Sequence, residues 1–429
     1  MRCKMEYKTY NCHSFNVHTI KTDKFKTCHM EIIFRKIGEQ KDYAYYSMLS
    51  DFLTDSSKKY PTRKDVVTQS EELYRALFYG VTSKVGQVLM NNFVYDFISP
   101  KYIEDENYLE EVLQFPFEMI QNPNAINEEF DLNYFNIIKN RLENDIKSLK
   151  EDSIRYCINE SLKVMDNTSP SSFVATGTLE DLESITPSTL YQEYKKMLKY
   201  MACDIFIIGS LDMDKVVSLI QKYFHKRTIN NEKITFTVEN KIRKKVLKKE
   251  ENSTFSLANL SVIFNIENMN QFERDIVFYV FNHIYGNGGL TSKLYKEVRE
   301  KHSLCYAIDS IYLKNDNLLL IHVSLDNKNV NKCVKLIEKE LKSIKLGNIK
   351  DEEVEDAINS IEANHMLSLD NAVAIINNYA FHKFINLPLL EDRLSLYKKV
   401  TKNDIFKLAK KIKINTVYVL KGENACEGN

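Results

Sequence analysis

The sequence predicts an α+β fold with two homologous halves, each built on an antiparallel sheet. The first reason is length, because 429 residues are too many for one ordinary hydrophobic core. The second is an internal repeat, in which the same helix–strand unit occurs once in each half of the chain. The third is the order of the strand and helix patterns, which lacks the regular β–α–β alternation of a parallel sheet.

The repeated unit is a capped amphipathic helix followed by an apolar strand. In the first copy the helix begins after Thr186 and the strand ends at Gly209. In the second copy the helix begins after Thr401 and the strand ends at Gly422. A threonine hydroxyl can accept a hydrogen bond from the free N–H groups of the first helical turn, so both threonines are predicted N-caps.

Two further pairs of segments follow the same order. Residues 30–34 and 260–264 are predicted strands, each leading into a long helix. Residues 109–119 and 330–344 carry apolar residues at helical spacing and are predicted amphipathic helices. We therefore expect an N-terminal domain, a linker and a C-terminal domain, at residues 1–225, 226–245 and 246–429.

Composition argues against several function classes. Basic and acidic residues both number 59, so the chain lacks the basic excess typical of a nucleic-acid-binding protein. No apolar run reaches the length of about 18 residues that crosses a membrane, and the first residues lack the apolar segment of a secretion signal. The 8 cysteines are scattered without a CxxC pair, which indicates reduced thiols. We expect a cytoplasmic protein that binds neither nucleic acid nor membranes.

Two segments carry a resemblance to a known family. Residues 46–74 read YSMLSDFLTDSSKKYPTRKDVVTQSEELY, and residues 286–306 read GNGGLTSKLYKEVREKHSLCY. Together with the two-fold repeat, they resemble the insulinase/pitrilysin metallopeptidases, the inverzincins. Active members of that family carry H-x-x-E-H on a helix, followed by a lysine-rich turn that ends in proline. The turn is present here as SSKKYP, which ends at Pro61.

The zinc motif itself is replaced. Counted back from Pro61, the resemblance places the family's first histidine at Ser47, its glutamate at Ser50 and its second histidine at Asp51. Serine is a poor zinc ligand and no general base, and one aspartate cannot hold the metal alone. We therefore expect no catalytic residue, no metal and no other cofactor in this chain. The resemblance implies that zinc belongs to a partner subunit.

The family's third zinc ligand is a glutamate on a later helix, which is predicted here over residues 130–146. The positions that could correspond to it are Asn133, Asn136 and Ile138, or Glu128 and Glu129 under a shifted alignment. Neither asparagine nor isoleucine is a usual zinc ligand. At least two ligands and the general base are therefore missing together.

The second segment retains residues that the family uses to hold its substrate. Arg299 and Tyr306 correspond to an arginine and a tyrosine that reach toward the zinc site and hold the substrate backbone near the scissile carbonyl. A guanidinium and a phenol can both donate hydrogen bonds to a peptide carbonyl or to a developing oxyanion. The alternative is a structural role, in which Arg299 pairs with a carboxylate and Tyr306 packs at a helix–strand junction. We favour the substrate-binding role.

Other possible sites have weaker support. The glycines of residues 286–289 precede Lys293 at the wrong spacing for a phosphate-binding P-loop, so a tight turn is the simpler interpretation. Ser47 and Ser50 have no histidine partner nearby in the sequence, which argues against a serine hydrolase. A group of potential metal ligands near the N-terminus fits no zinc-module spacing and is interpreted as structural. Its members are Cys3, Cys12, His13, His18, Cys28 and His29.

Within the family, the chain resembles a non-catalytic branch from Bacillus-type bacteria that is associated with the modification of elongation factor P. It shares the TDKFKT strand at 22–27, the VREKHSLCY segment and the strand around 415–418, and it departs at 256–260, where SLANL replaces a Q-G-K-L strand. The resemblance covers essentially the whole chain. It implies two halves, each an antiparallel sheet covered by helices, that face one another across a chamber.

The resemblance also implies a function. We predict the non-catalytic, substrate-binding subunit of a heterodimeric zinc peptidase that processes peptides, paired with a zinc-bearing paralogue. The alternative is a peptide-binding or scaffold protein of the same fold with no hydrolytic role. An enzyme that acts on its own is disfavoured, because it would need stoichiometric metal in this chain.

Overall fold

The computed structural model describes residues 5–225 and 234–423. Within these ranges the chain divides into two compact units, and each unit combines segments that are distant in sequence. The first unit contains the residues up to Lys147, Val174–Thr235 and Asn371–Ala380. The second unit contains Ser148–Phe173, Phe236–Asp370 and the residues from Phe381 onward.

The described residues form β-strands and helices in both units. The strands are β1 (Glu6–Asn11), β2 (Asn16–Lys21), β3 (Thr27–Ile37), β4 (Leu77–Val85), β5 (Val88–Ile98), β6 (Ala125–Ile126), β7 (Glu129–Phe130), β8 (Ala202–Gly209), β9 (Leu247–Asn252), β10 (Ala258–Ile266), β11 (Cys305–Leu313), β12 (Leu318–Leu325) and β13 (Ile412–Lys421). The α-helices are α1 (Gln40–Asp55), α2 (Arg63–Glu72), α3 (Tyr108–Gln121), α4 (Leu132–Ser148), α5 (Ser153–Met165), α6 (Leu179–Glu183), α7 (Pro187–Tyr200), α8 (Met213–Tyr223), α9 (Phe278–Asn282), α10 (Val330–Lys345), α11 (Asp351–Ser368), α12 (Ala372–Ile385), α13 (Leu390–Tyr397) and α14 (Lys402–Lys410). Stretches of π-helix lie at Glu273–Val277, His283–Asn287 and Tyr295–Lys301.

The two main sheets share one topology. The strand order is β1-β2-β8-β3-β5-β4 in the first unit and β11-β12-β10-β13-β9 in the second. Taken from its other edge, the first sheet runs β4-β5-β3-β8-β2, which matches the second sheet strand by strand. One pair in each sheet, β2–β8 and β9–β13, is parallel, and the other pairs are antiparallel. The predicted α+β repeat of two homologous halves is confirmed, with mixed rather than wholly antiparallel sheets.

The predicted elements of the repeat are confirmed together with their caps. The hydroxyl of Thr186 accepts a hydrogen bond from the N–H of Thr189 at 3.2 Å, at the start of α7. The hydroxyl of Thr401 accepts one from the N–H of Asp404 at 3.3 Å, at the start of α14. Each helix leads into a buried central strand, β8 or β13. These elements follow from local sequence alone, because caps and apolar runs are short-range signals.

The compact units differ from the predicted domain boundaries at α5. This helix precedes the predicted linker, yet it belongs to the second unit. Its residues Leu162 and Met165 pack in one buried cluster with Ile263 and Leu320 of that unit's sheet. An amphipathic pattern predicts that a helix buries one face but does not say which sheet covers it.

The opposite exchange occurs at residues 371–380, which come late in the sequence but belong to the first unit. There the ring of Tyr379 stacks on that of Tyr7, with centroids 4.4 Å apart. Of the linker predicted at 226–245, residues 226–233 lie outside the described residues.

The described cysteines are free thiols, at positions 12, 28, 157, 203, 305 and 333. Cys3 and Cys426 lie outside the described residues. No helix in the described ranges combines the length and the apolar character needed to cross a membrane.

Candidate functional site

Helix α1 carries the positions of the replaced zinc motif. The helix begins at a capping box, in which the N–H of Glu39 donates to the carboxylate of Asp42 at 2.8 Å. Most of its apolar side chains are completely buried against the sheet and neighbouring helices. Ser47, Ser50 and Asp51 therefore lie on a helix whose apolar face is packed, with Ser50 buried and the other two partly buried.

Both serines make hydrogen bonds with the surrounding protein. Ser47 Oγ donates to the backbone carbonyl of Ala175 at 3.0 Å. Ser50 is buried, and its Oγ lies 3.0 Å from the hydroxyl of Thr82 on β4. Asn91 on β5 donates to the same oxygen from Nδ2 at 2.6 Å. The two hydroxyls thus connect α1 to its neighbours at the positions where the resemblance expects a ligand and a base.

Strand β4 closes the space around Ser50. A Cβ atom at Gly80 would lie 2.5 Å from the backbone oxygen of Ser50. Only glycine therefore fits at position 80, where the strand passes the helix. A glutamate at position 50 would have to displace the side chains of Thr82 and Asn91, which already contact the serine hydroxyl. The local packing therefore suits serine and not the family's general base.

Asp51 faces a cation instead of a metal. Nη1 of Arg141 on α4 lies 3.5 Å from the Asp51 carboxylate, and Nη2 lies 3.1 Å from that of Asp55, one turn later on α1. Arg63 also pairs with Asp55. Burial raises the pKa of Asp51, and the nearby carboxylate of Asp145 raises it too, whereas Arg141 lowers it. Guanidinium groups thus balance the carboxylates at this end of α1.

The charged side chains of α4 that act on Asp51 are Arg141 and Asp145, later on the helix than the positions expected for the third ligand. Of the expected positions, Ile138 is completely buried in the core. Glu128, in the short β6–β7 hairpin, pairs with Lys195 at 2.7 Å. Sequence reasoning missed Arg141, although it lies one residue before the buried Leu142 in the apolar stripe of α4 and so flanks the face that packs on the core.

The residues at this site do not fit a zinc ion. Two of the three motif positions, Ser47 and Ser50, present hydroxyls that are already hydrogen-bonded, and the carboxylate of the third, Asp51, pairs with the guanidinium of Arg141. Zinc prefers imidazole, thiolate or free carboxylate ligands. Over residues 5–225 and 234–423, no three His, Cys, Asp or Glu side chains are grouped so that they could hold a metal ion.

The second predicted site lies in the second unit, around Arg299. Its guanidinium carbon lies 4.8 Å from the ring centroid of Tyr295 and 4.9 Å from that of Tyr306. Tyr306 itself is 82% exposed. Stacking on aromatic faces leaves the in-plane N–H groups of a guanidinium free to donate. The site therefore presents hydrogen-bond donors beside an exposed phenol.

Arg299 is not paired with a carboxylate, in contrast to the alternative structural role. The carboxylate of Glu297, two residues earlier, binds Lys339 at 2.7 Å and Lys301 at 3.1 Å. Among the residues that the structure describes, neither Glu297 nor any other acidic side chain forms an ion pair with Arg299.

A tight turn returns the chain to Arg299. The N–H of Ser303 donates to the Arg299 carbonyl at 2.9 Å, and Ser303 adopts a left-handed conformation with φ 50°. Leu304 then donates its N–H to the carbonyl of Val298 at 3.1 Å, and strand β11 begins at the next residue. Tyr306 thus lies at the start of a strand, not on the helix, and this geometry brings its ring over the guanidinium.

The histidines near the N-terminus form two separate clusters on one face of the first sheet. His18 is completely buried between the phenol of Tyr7, at 2.8 Å, and the carboxylate of Asp204, at 2.9 Å. Burial alone would raise the pKa of Asp204, but His18 and Arg35 lower it to about 2. The network links β1, β2, β3 and β8 across the sheet.

His29 lies between two carboxylates on the same sheet face. Its Nδ1 is 2.7 Å from Asp96, and its Nε2 is 3.2 Å from Glu31. Burial alone would lower the pKa of His29, but the two carboxylates raise it to about 9. Because each ring nitrogen bonds a different carboxylate, the two acidic side chains lie at different sides of the imidazole and do not converge with it on one point. Their arrangement supports the structural interpretation.

Comparison with known proteins bears on the family. Residues 184–361 match the family profile described as the peptidase M16 inactive domain; M16 is the insulinase/pitrilysin family. Over 417 residues the chain is 26% identical to the probable inactive metalloprotease YmfF of Bacillus subtilis (strain 168), covering 94% of this chain and 95% of that protein. The resemblance to the M16 peptidases is confirmed. Both the profile and this relative are described as inactive.

Solved structures support the same fold for the M16-like chain. A conserved protein from Enterococcus faecalis V583 superposes with a TM-score of 0.91 and 25% identity, over 99% of this chain and 100% of that one. A peptidase M16 inactive domain from Pseudomonas fluorescens superposes with a TM-score of 0.79 and 16% identity, over 99% and 100% of the two chains.

Proposed function

We propose that the chain is the non-catalytic, substrate-binding subunit of a heterodimeric M16-like zinc peptidase that processes peptides. Its partner is a paralogue that carries the complete H-x-x-E-H motif and the zinc. The observation that carries this proposal is Arg299, whose guanidinium lies over the rings of Tyr295 and Tyr306 and makes no ion pair with a described carboxylate.

The chemistry of this pair suits a peptide. Arg299 donates up to five hydrogen bonds from its planar group, and the Tyr306 hydroxyl, on an 82% exposed side chain, can donate another. A peptide backbone offers carbonyl oxygens as acceptors, and a charge-assisted hydrogen bond to such an oxygen is stronger than a neutral one. A half-buried positive charge without a described acidic partner, beside an exposed phenol, keeps donors to which a bound ligand can offer the acceptor.

The replaced motif supports the assignment of substrate binding to this chain and of catalysis to its partner. Ser47 and Ser50 are bound to other parts of the first unit, and Asp51 is shared with Arg141. Hydrolysis therefore requires zinc and a general base from another protein. The free cysteine thiols support the cytoplasm as the compartment.

Peptide binding is tested with the isolated chain. A fluorescein-labelled 20-residue peptide from casein, an unfolded protein, serves as the probe, and binding is measured by fluorescence anisotropy. The proposal predicts saturable binding that Arg299→Ala weakens at least tenfold, because the truncation removes the charged donor. Lys332→Ala removes one positive charge from an exposed position on α10 and is the matched control, with unchanged affinity. Equal affinities for the wild type and Arg299→Ala would contradict the proposal.

A second candidate function is a peptide-binding scaffold without hydrolysis, and strand β4 favours it. This strand is at one edge of the first sheet. Its residues Leu77, Tyr79 and Val81 point to one face and are 55%, 39% and 42% exposed. An exposed edge with alternating apolar side chains can accept a peptide as an additional strand.

The scaffold function predicts a different set of results. Val81→Lys would place a charge among the apolar side chains of this edge and weaken binding of the casein peptide, whereas Arg299→Ala would leave binding unchanged. Val67→Lys makes the same change at a 47% exposed position of α2 and is the matched control. Peptide hydrolysis would also be absent when the H-x-x-E-H paralogue is present.

A further inference from the structure

Two aromatic rings, those of Tyr295 and Tyr306, lie near the Arg299 guanidinium, and of these Tyr295 packs against the core. It is partly buried against the core of the second unit, at the beginning of the π-helical stretch Tyr295–Lys301. Its N–H also donates to the hydroxyl of Ser292, a completely buried residue, at 3.3 Å. Tyr306, the other ring near the guanidinium, is 82% exposed. The position of the guanidinium plane is therefore set from the Tyr295 side.

Among the described residues, no carboxylate pairs with Arg299 to fix the orientation of its guanidinium. A carboxylate partner would orient the guanidinium but would also occupy its donors. Glu297, the acidic residue closest before Arg299, is bound to Lys301 and Lys339 instead. An aromatic face orients the group through its π surface and leaves the N–H edge open.

We propose that Tyr295 is a positioning residue for peptide binding, which holds the Arg299 guanidinium so that its donors face a planar oxygen acceptor of the ligand. This inference rests on the proposed function of Arg299. The acceptor is either a backbone carbonyl or the C-terminal carboxylate of a peptide. Both present an sp² oxygen in the plane that a guanidinium recognises.

The orientation of Arg299 is measured without any peptide. The side-chain Nε–H signal of Arg299 is recorded by NMR in chain labelled with ¹⁵N-arginine and is assigned with Arg299→Lys. Because the guanidinium lies over two rings, its proton resonance is expected upfield of an exposed arginine. Tyr295→Phe keeps the ring and should leave the signal in place, whereas Tyr295→Leu should move it downfield. An unchanged signal in Tyr295→Leu overturns the inference.

Peptide affinity supplies the second readout, with the same casein peptide in free-acid and C-amidated forms. Loss of an exposed cation–π contact is expected to weaken binding about fivefold in Tyr295→Leu, whereas Tyr295→Phe binds as the wild type does. In an Arg299→Ala background, Tyr295→Leu should add nothing, because no guanidinium remains to be positioned. A preference for the free acid assigns the acceptor to the terminal carboxylate, and equal affinities assign it to a backbone carbonyl.

The outcomes separate the two proposals. Wild-type binding by Tyr295→Leu, with binding lost in Arg299→Ala, overturns the positioning role and leaves the proposed function standing. A further loss on adding Tyr295→Leu to Arg299→Ala also overturns it, because the effect would then be structural. Equal binding by the wild type and Arg299→Ala contradicts the proposed function, and the NMR signal then still decides whether Tyr295 fixes the guanidinium.

Discussion

The amide nitrogen Nδ2 of Asn91 lies 2.6 Å from the hydroxyl oxygen of Ser50 and donates a hydrogen bond to it. Both residues are buried, and the bond joins strand β5 to helix α1. Ser50 is the position at which the resemblance expects the general base of an active peptidase. In this chain the position contributes to packing and hydrogen bonding, so its substitution should change stability before it changes any reaction.

Ser50→Ala is expected to lower the free energy of unfolding by about 1 kcal/mol, because the buried amide of Asn91 and the half-buried hydroxyl of Thr82 each lose one hydrogen-bond partner. Ser50→Glu should destabilise more, since it places a carboxylate in the same closed space. Urea denaturation monitored by circular dichroism measures both. Ser395→Ala, which removes an exposed hydroxyl bonded only within its own helical turn, is the control and should change little. Equal stabilities of Ser50→Ala and Ser395→Ala would count against the structural role.

Arg141→Ala should destabilise the first unit by roughly 1–2 kcal/mol at neutral pH, because Asp51 and Asp55 lose a shared cation. The pKa of Asp51 is already raised by burial and should rise further without the guanidinium. A raised carboxyl pKa weakens the folded state as pH increases through it, so the loss should be smaller near pH 4 than at pH 7. Denaturation at the two pH values measures this. Adding Asp51→Asn should recover part of the loss at pH 7, and a loss independent of pH would contradict the ionic explanation.

His29 should make stability fall at alkaline pH. The carboxylates of Asp96 and Glu31 raise its pKa from 6.5 to about 9 in the folded chain. The stabilisation from the charged imidazole is therefore fully present below pH 6.5 and is lost as the pH rises through 9. The free energy of unfolding should fall by roughly 3 kcal/mol over this pH range because of His29. Denaturation curves between pH 6 and pH 10 should show this decline in the wild type and lack it in His29→Gln.

The matched control for His29 is His225→Gln, at an exposed position that should leave the decline unchanged. A wild-type chain whose stability is constant over this range would show that His29 is not charged in the folded state.

Purified chain should contain far less than one zinc ion per molecule, because hydroxyls and a paired carboxylate stand in place of ligands. Addition of a chelator should leave its thermal midpoint unchanged, since no bound metal contributes to folding. Metal analysis by mass spectrometry and a thermal melt with EDTA provide the readouts. Stoichiometric zinc, together with a lower midpoint in EDTA, would contradict the replacement of the site.

The sequence predicted the repeat well because its signals are local. Thr186 and Thr401 cap their helices as expected, and the strands that follow are buried. Arg141 was not predicted, because it meets Asp51 through the packing of α4 on α1, across 90 residues of sequence. The apolar stripe of α4 shows that Arg141 flanks the packed face, but not which residue of another helix it meets.

The site around Arg299 was predicted in part. The residues followed from the resemblance, but the approach of the Tyr306 ring to the guanidinium did not, because it depends on the left-handed Ser303 that turns the chain back toward Arg299. The exchange of α5 was missed for a similar reason. The apolar face of that helix is evident in sequence, whereas the sheet that covers it is determined by the path of the whole chain.

The most direct measurement is peptide hydrolysis by the purified complex of this chain with a zinc-bearing H-x-x-E-H paralogue. If the chain binds substrate for its partner, kcat/KM should require both chains and should fall on the order of 100-fold with Arg299→Ala, while Lys332→Ala leaves it unchanged. Full activity of the paralogue alone, or of the complex that carries Arg299→Ala, would contradict a substrate-binding role for this chain.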